Sequence, residues 1–566
     1  MNAKQKADLR LALLVVAALS VVVPIFLPTP NFPLNEESEI KVKLCLMIGA
    51  LAVILYRALV PEAPDTPSGS KKAAKTPRRI GAMPASQAGT ALVLAAVIAS
   101  LAYMNFGAFH GRVYNHFWEQ FHYVLGAKYF PELGYDGLYA ASIEAQTEKN
   151  PEAYRGYIQP LIRDLRTNEM ASTNSPEIRK HRREVKERFS AERWSEFRDD
   201  NYHFLFRNTP GYIETIRRDH GYNPPPSWTF VARLFAWPKI DDSALAWLAN
   251  LDLMLLATMF VFVFRTYGAR LGCVALIVFG LNYAGRYYWV GGAFLREDWL
   301  ACSVIGVCML KREKYWAAGA LFGWATAVRI FPVLFLFGPG VLGLRALVRR
   351  EKLKWSFQIV GGFALALLVA LGAGSLTGRG PAAWTEFADA IVLHKGTWLT
   401  NNVGFDNVVI YDMQTMKREL VNFNLPEPWV HVQAKLARIE EERAGLLYAG
   451  KALLLLLAAA VCWRLKPADA AAAGGMVTIF TMVILTNYYW QMLLLIPLLG
   501  SSVLLYGFLI LNLGMAIVHL QTGSFEMRYG IYSWALLALF LAYLLSRLYL
   551  WRRQGPDEPE DGPALP

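Results

Sequence analysis

Apolar runs alternate with short basic or aromatic segments along almost the whole chain. The runs are Leu11 to Leu27, Leu44 to Val60, Ala91 to Phe109, Ala244 to Phe264, Leu271 to Val290, Trp299 to Leu310 and Tyr315 to Ile330. They continue with Val333 to Leu344, Trp355 to Leu376, Leu446 to Leu465, Ala471 to Leu485, Met492 to Leu499, Ser502 to Leu520 and Ile531 to Trp551. Many reach the roughly 17–25 residues that cross a bilayer as a helix, and the count comes to about fourteen. The pattern predicts an all-α polytopic membrane protein. Within it, Phe331-Pro332 marks a break, because proline cannot continue the helical ladder.

Basic residues set the expected orientation. Asn2 to Arg10, the cluster Lys71, Lys72, Lys75, Arg78 and Arg79, the pair Arg265 and Arg270, and the cluster Arg345 to Lys354 all fall on one side. Positively charged connections stay cytoplasmic, so both termini are expected there, with Lys41 and Lys43 as a small exception on the far side. Met1 to Leu27 has a basic start but no small-residue cleavage site after Pro28, and reads as an anchor.

Two segments on the opposite, outer side are far longer than ordinary connections and should fold, about 110–243 and about 377–444. In the first, Pro151 to Leu165 and Pro176 to Asp200 read as charged amphipathic helices. Tyr222-Asn-Pro-Pro-Pro-Ser-Trp228 reads as a rigid extended piece at the membrane entrance. The chain divides into a two-helix extension with a basic cytoplasmic segment (1–90), a membrane core with two outer loops (91–551) and a proline-rich tail (552–566) expected to be disordered.

The 566 residues are 55% hydrophobic and 13% aromatic, too apolar for a soluble globule. The formal charge of +12 follows from the cytoplasmic segments and gives no reason to expect nucleic acid as a partner. All five cysteines lie in apolar runs, with no metal-ligand spacing and no outer pair for a disulfide. There is no phosphate-binding glycine loop, dinucleotide fingerprint or Gly-x-Ser-x-Gly motif, so nucleotide use and serine-hydrolase chemistry have no support.

Candidate chemistry gathers where Ala91 to Phe109 reaches the outer side, in YNHFWEQFHYVLGAKYFPELGYDGLY, Tyr114 to Tyr139. Glu119 lies between His116 and His122 among Phe117, Trp118, Phe121 and Tyr123. Apolar neighbours at a membrane exit can desolvate a carboxylate and raise its pKa. Glu132 and Asp136 come next along the chain. The plainer alternative is an interfacial aromatic helix. Charged residues near spans suggest a site or a paired ion, and Arg286, Arg296 and Arg329 could form an outer cationic cluster that takes phosphate bidentately. Pairing with Glu297 and Asp298, or snorkelling, is the alternative. Lys451 is expected to snorkel or be satisfied by a neighbouring helix. His394-Lys395-Gly-Thr-Trp398 and Asn401-Asn402-Val-Gly-Phe-Asp406-Asn407 offer amides and an aromatic suited to sugar hydroxyls, or form an ordinary turn.

These residues resemble the GT-C superfamily of integral-membrane glycosyltransferases, within it the bacterial polyprenyl-phosphate-mannose-dependent mannosyltransferases. The resemblance rests on Glu119-Gln-Phe-His122-Tyr123, Leu125-Gly126 and Tyr129-Phe130-Pro131; on Tyr222-Asn-Pro-Pro-Pro226; on Gly319-Ala-Leu-Phe-Gly323-Trp-Ala325 with Arg329 and Pro332; and on Asn401-Asn402 and Trp490-Gln491. It covers roughly Ala91 to Leu499. The family more often has Asp where Glu119 stands and Lys where Arg329 stands, and the first two spans and the charged first loop are additions to its pattern. The resemblance implies transfer of a sugar from a polyprenyl-phosphate donor to a periplasmic glycan or lipid acceptor in a bacterial inner membrane. Glu119, or a flanking His116 or His122, would serve as base. Tyr123, Arg296, Glu297, Asp298, Arg329, Asn401, Asn402, Trp490 and Gln491 would contact substrate. No cofactor or metal is required, although Glu297-Asp298 could bind a cation. Membrane lipids are the other expected partner. A flippase for lipid-linked saccharides, or a non-catalytic envelope assembly protein, would share the helices and cations.

Overall fold

A computed structural model describes residues 3–26, 36–59, 87–149, 161–394, 397–412, 417–422, 425 and 428–554. Helices dominate. Among the described residues, eight are long and apolar enough to cross a membrane: Gln5–Pro24, Glu36–Leu59, Asp242–Gly280, Phe331–Val348, Lys354–Gly374, Ala444–Cys462, Ser502–Gln521 and Phe525–Arg553. Other expected spans fall on shorter apolar helices, Gln87–Tyr103, Asp298–Lys311, Tyr315–Val328 and Pro467–Met482. The basic segment from Lys71 to Arg79, the first half of the Pro151 to Leu165 stretch, Lys395 and the tail from Pro556 lie outside the described residues.

The helical run Asp242–Gly280 is two helices that meet at Gly268, in the turn expected between Ala244 to Phe264 and Leu271 to Val290. Gly268 takes φ 82° and ψ 171°, a conformation open to glycine, so the chain turns back there. The Phe264 ring then meets the Gly272 backbone, where a Cβ would lie 2.7 Å from it. The Gly-x-x-x-Gly of Tyr315–Val328 is a packing face. A Cβ at Gly319 would sit 2.1 Å from the Ile359 carbonyl oxygen, and one at Gly323 would sit 2.6 Å from that of Phe363. Small residues let these two helices approach closely in an apolar surround. Tyr315–Val328 ends by presenting Arg329 in extended backbone, and a 3₁₀ turn, Phe331–Leu336, begins at the expected proline break.

Both long outer segments fold. The first carries helices Leu138–Lys149, Pro176–Glu187, Ala191–Arg207, Pro210–Ile216 and Pro226–Phe235. Pro176 to Asp200 is two helices rather than one, because the Ser190 hydroxyl caps a new start by accepting the Arg193 N–H. Leu161–Asp164 is a strand paired antiparallel with Glu169–Ser172, not the end of a helix; the pairing and burial of Ile162, Arg163 and Asp164 overrode the charged pattern. The second segment carries Ala382–His394, Phe405–Ile410 and Val430–Glu442. Its Asn402–Val403 pairs with Leu485–Thr486, which joins the outer loop to the membrane core.

Asp200 pins the first outer segment onto the core. It is fully buried and accepts from the Lys128 ammonium at 2.7 Å, the Tyr129 hydroxyl at 2.7 Å and the Ile240 N–H at 3.0 Å. Lys128 is buried as well. Without the Asp200 carboxylate, Lys128 keeps the partly exposed Glu196 at 2.8 Å as counter-charge and the buried Tyr129 and Ile240 donors lose their acceptor, together a cost of about 3–5 kcal/mol. Asp200→Ala is therefore expected to lose that much stability in the region 117–240. Native-state hydrogen exchange should show faster exchange there than in the helices Lys354–Gly374 and Ser502–Gln521.

Candidate functional site

The site is built around two stretches that close on each other. The first leaves the helix Gln87–Tyr103 through a tight turn in which Asn105, Phe106, Phe109 and Arg112 all have positive φ. A short helix, Phe117–Gln120, comes after it and runs directly into a π-helical turn, Phe121–Leu125. Such turns widen the helix and recur at functional sites. His116 caps this helix, its Nδ1 accepting the Glu119 N–H at 3.3 Å. The second stretch is the turn Gly291 to Glu297. Its Gly292 carbonyl accepts the His116 N–H at 2.9 Å and the Gln120 side chain at 3.0 Å. Gly292 has φ 71°, and a Cβ there would lie 2.0 Å from the Tyr114 oxygen, so only glycine allows the two stretches to close together.

Across this junction Arg296 Nε reaches Glu119 Oε2 at 2.9 Å. Both side chains are nearly enclosed, 4% and 13% exposed. The guanidinium also stacks over the Tyr123 ring, 4.7 Å from its centre, and over Tyr488 at 5.3 Å, and it donates to the Tyr488 hydroxyl at 3.1 Å. Burial pushes the Glu119 carboxyl above its ordinary value, and the Arg296 charge pulls against that rise.

The position of Arg296 is fixed through its backbone. Asp252, a carboxylate in the helix Asp242–Gly280, accepts the Arg296 N–H at 3.1 Å and the Glu297 N–H at 3.0 Å. Leu295, the residue before, is held at φ 50°, unusual for a branched side chain, while its carbonyl accepts the Trp228 indole N–H at 2.9 Å. Glu297 itself is buried, with no hydrogen-bond partner within normal distance for either carboxylate oxygen. Burial, with Asp252 beside it, pushes Glu297 up to about 8, so it is mostly protonated at neutral pH.

Glu119 opens onto a cavity of about 740 Å³. His116, Trp118, Asp219, Tyr212, Tyr288, Asn401, Thr486 and Tyr488 share its wall. Asn401 is oriented by its side chain, which donates to Asn487 at 2.7 Å. Arg329 is buried beside Trp228. Its Nη1 bonds the Val328 carbonyl, while Nε and Nη2 have no hydrogen-bond partner, and its charge acts on the Glu119 and Asp298 carboxyls.

The remaining expected residues are placed elsewhere. His122 has both ring nitrogens occupied, Nδ1 by the Trp118 carbonyl at 2.8 Å and Nε2 by the Tyr139 hydroxyl at 2.7 Å. Burial lowers His116 to about 4, so its ring is neutral. Asn402 lies in the short strand pair, with its carbonyl taking the Asn407 side chain. Trp490 is fully buried against Phe480, and Gln491 faces Tyr103 and Gly285. Glu132 pairs with Arg193 and Asp136 with Arg188 in the outer segment. Arg286 is drawn away to Glu36 at 2.7 Å in the N-terminal extension, and Lys451 pairs with Asp406 at 2.6 Å.

Several wall or support residues went unmarked in the sequence, Asp252, Tyr488 and Asp219 among them. Asp252 carried a signal, a single acid inside an apolar run. Tyr488 and Asp219 carried none beyond their neighbourhoods. Among the described residues no group of three or more His, Cys, Asp or Glu side chains is placed to hold a metal ion. Comparison with protein-family models, curated proteins and solved structures returns no match.

The Asp252 carboxylate bonds two buried N–H groups, and an unsatisfied buried group costs about 1–3 kcal/mol. Asp252→Ala is expected to lower the thermal midpoint in detergent more than Asp252→Asn, which keeps one acceptor oxygen. Equal midpoints in all three proteins would mean that the Arg296 backbone does not depend on this clamp.

Proposed function

We propose that the chain is a membrane-embedded glycosyltransferase of the GT-C kind, with about fourteen spans once the shorter apolar helices are counted. It moves a sugar, mannose or another hexose or pentose, from a polyprenyl-phosphate donor to a glycan or lipid acceptor. The site faces the periplasm of a bacterial inner membrane, with both termini cytoplasmic. The observation that carries this reading is the enclosed Glu119–Arg296 pair, whose Glu119 lines a 740 Å³ cavity while Arg296 and the incompletely bonded Arg329 lie behind the lining, both acting on the Glu119 carboxyl.

The chemistry needs a base and an anion acceptor, and these groups supply both. The acceptor hydroxyl oxygen attacks the anomeric carbon, and its proton passes to Glu119. The bond from that carbon to the phosphate oxygen breaks, and the polyprenyl phosphate leaves with the electron pair. Arg329, with free N–H donors in a low-dielectric setting, suits the growing charge on that phosphate. Of the three candidate bases, Glu119 has its carboxylate at the cavity, whereas the His122 nitrogens are both engaged and the His116 Nδ1 caps the helix. Two folded outer segments that wall the cavity favour an enzyme over a carrier, which has no need of them.

General-base catalysis is typically worth about 10²–10⁴-fold, so Glu119→Gln should lose transfer from a polyprenyl-phospho-sugar by that factor. Glu119 must be ionised to act. Because its pKa is raised in the folded protein, kcat/KM should fall on acidification with a half-point above the ordinary 4.5. In Arg296→Gln the half-point should move higher still, since the Arg296 charge is what restrains the rise. Full transfer by Glu119→Gln removes Glu119 from the role.

A further inference from the structure

A second cavity of about 640 Å³ adjoins the first, and the two share Trp118, Asp219 and Leu399 as walls. Its chemistry differs. Arg163, Arg218 and Lys417 line it, and Asp219, at the shared wall, is the one carboxylate among its lining residues. The Asp219 carboxylate is already engaged by the Trp118 indole N–H at 2.8 Å. Arg163 is buried, and its guanidinium is steered by the carbonyls of Arg218 at 2.9 Å and Asn168 at 2.7 Å. The Arg218 Nε is buried without a hydrogen-bond partner. Lys417 donates to the Trp398 carbonyl and lies 4.3 Å above the Trp429 ring. Glu526 stands behind it, its carboxylate taking the Lys417 backbone N–H at 2.8 Å. Burial still pushes the Lys417 ammonium down to about 8 despite that carboxylate, the mark of a cation without a full counter-charge.

Three indoles, Trp118, Trp398 and Trp429, line the same space as these cations. Flat aromatic faces pack against the C–H faces of sugar rings, while guanidinium and ammonium groups take phosphate or carboxylate. A neutral sugar would leave the cations unanswered, and a bare inorganic anion would leave the indoles unused. The combination fits one ligand class.

We propose that this second cavity holds the acidic portion of the acceptor, a saccharide bearing phosphate or carboxylate, and so aims a neighbouring hydroxyl at Glu119. The proposal rests on the sugar-transfer reading for the role of acceptor, but the binding it requires does not involve the donor. Glu119 lines the first cavity, which shares the Asp219 wall with the second, and the charges of both Arg329 and Asp219 act on its carboxyl. Acceptor selection and departure of the phosphate are then handled by different cations.

The test is equilibrium binding to the full-length protein in detergent, with no donor present. Three oligosaccharides of equal length serve as probes: a neutral mannan tetrasaccharide, its 6-phosphate, and a tetragalacturonate. At least one acidic probe should bind about tenfold or more tightly than the neutral one, the scale of one good ion pair. That preference should fall to about threefold or less in Arg218→Gln and in Lys417→Gln. It should persist in Glu119→Gln, which abolishes transfer but leaves the second cavity intact. The better acidic probe identifies the anion as phosphate or carboxylate. Equal affinity for all three, no measurable binding of any, or a preference untouched by both substitutions overturns the proposal. Absence of transfer with the acidic preference intact counts against the enzyme reading and not against the acidic-saccharide site.

Discussion

A buried carboxylate beside a buried guanidinium is stable only if both are held, and the structure depends on how Arg296 is held beside Glu119. Two charges taken out of water at 2.9 Å gain from each other only where geometry leaves little slack. Here the slack is removed from the backbone outward. Asp252 grips the Arg296 and Glu297 N–H groups, Trp228 ties down the Leu295 carbonyl, and Gly292 lets the turn close against His116. Leu295 stores strain of order 1–3 kcal/mol that such surroundings must outweigh. The aromatic rings of Tyr123 and Tyr488 then fix the guanidinium in the remaining directions.

The rest of the architecture supports this arrangement. Close packing of Tyr315–Val328 on Lys354–Gly374 through Gly319 and Gly323 sets where Arg329 emerges. The first long segment, locked to the core by Asp200 and Lys128, brings Asp219 and Tyr212 to the first cavity and Arg218 to the second. The strand pair joining Asn402–Val403 to Leu485–Thr486 brings Asn401 and Tyr488 to the same wall. The cavities are thus bounded by elements distant in sequence, each fixed by its own buried polar contact.

Much of the membrane architecture was legible because apolar runs of sufficient length have few alternatives in a bilayer. Glu119 stood out for the same reason, as a single acid among aromatics at the end of a run. What the chain did not reveal was partnership. Arg286 and Arg296 look alike in sequence, yet Glu36 in the extension claims the first and Glu119 the second. Trp490 and Gln491 marked the right segment, but the side chains that reach the cavity are Thr486 and Tyr488, because the strand pair at Leu485–Thr486 sets the register of the turn that begins at Asn487. The charged stretch ending at Leu165 looked helical, since the four strand residues Leu161 to Asp164 are too few, and do not alternate, to mark a strand within a run of charges. The expected turn between Ala244 to Phe264 and Leu271 to Val290 is present, at the Gly268 break between Arg265 and Arg270.

The most direct measurement is photocrosslinking with a polyprenyl phosphate that carries a photoreactive group next to its phosphate, with mapping of the labelled peptides. If Glu119, Arg296 and Arg329 surround the sugar-phosphate bond, label will concentrate on 114–123, 295–298, 329 and 486–490, and excess unlabelled polyprenyl phosphate will remove it. Competable label confined to the far membrane face, around Trp463 and Trp551, or no competable label at all, contradicts a donor site at this pair.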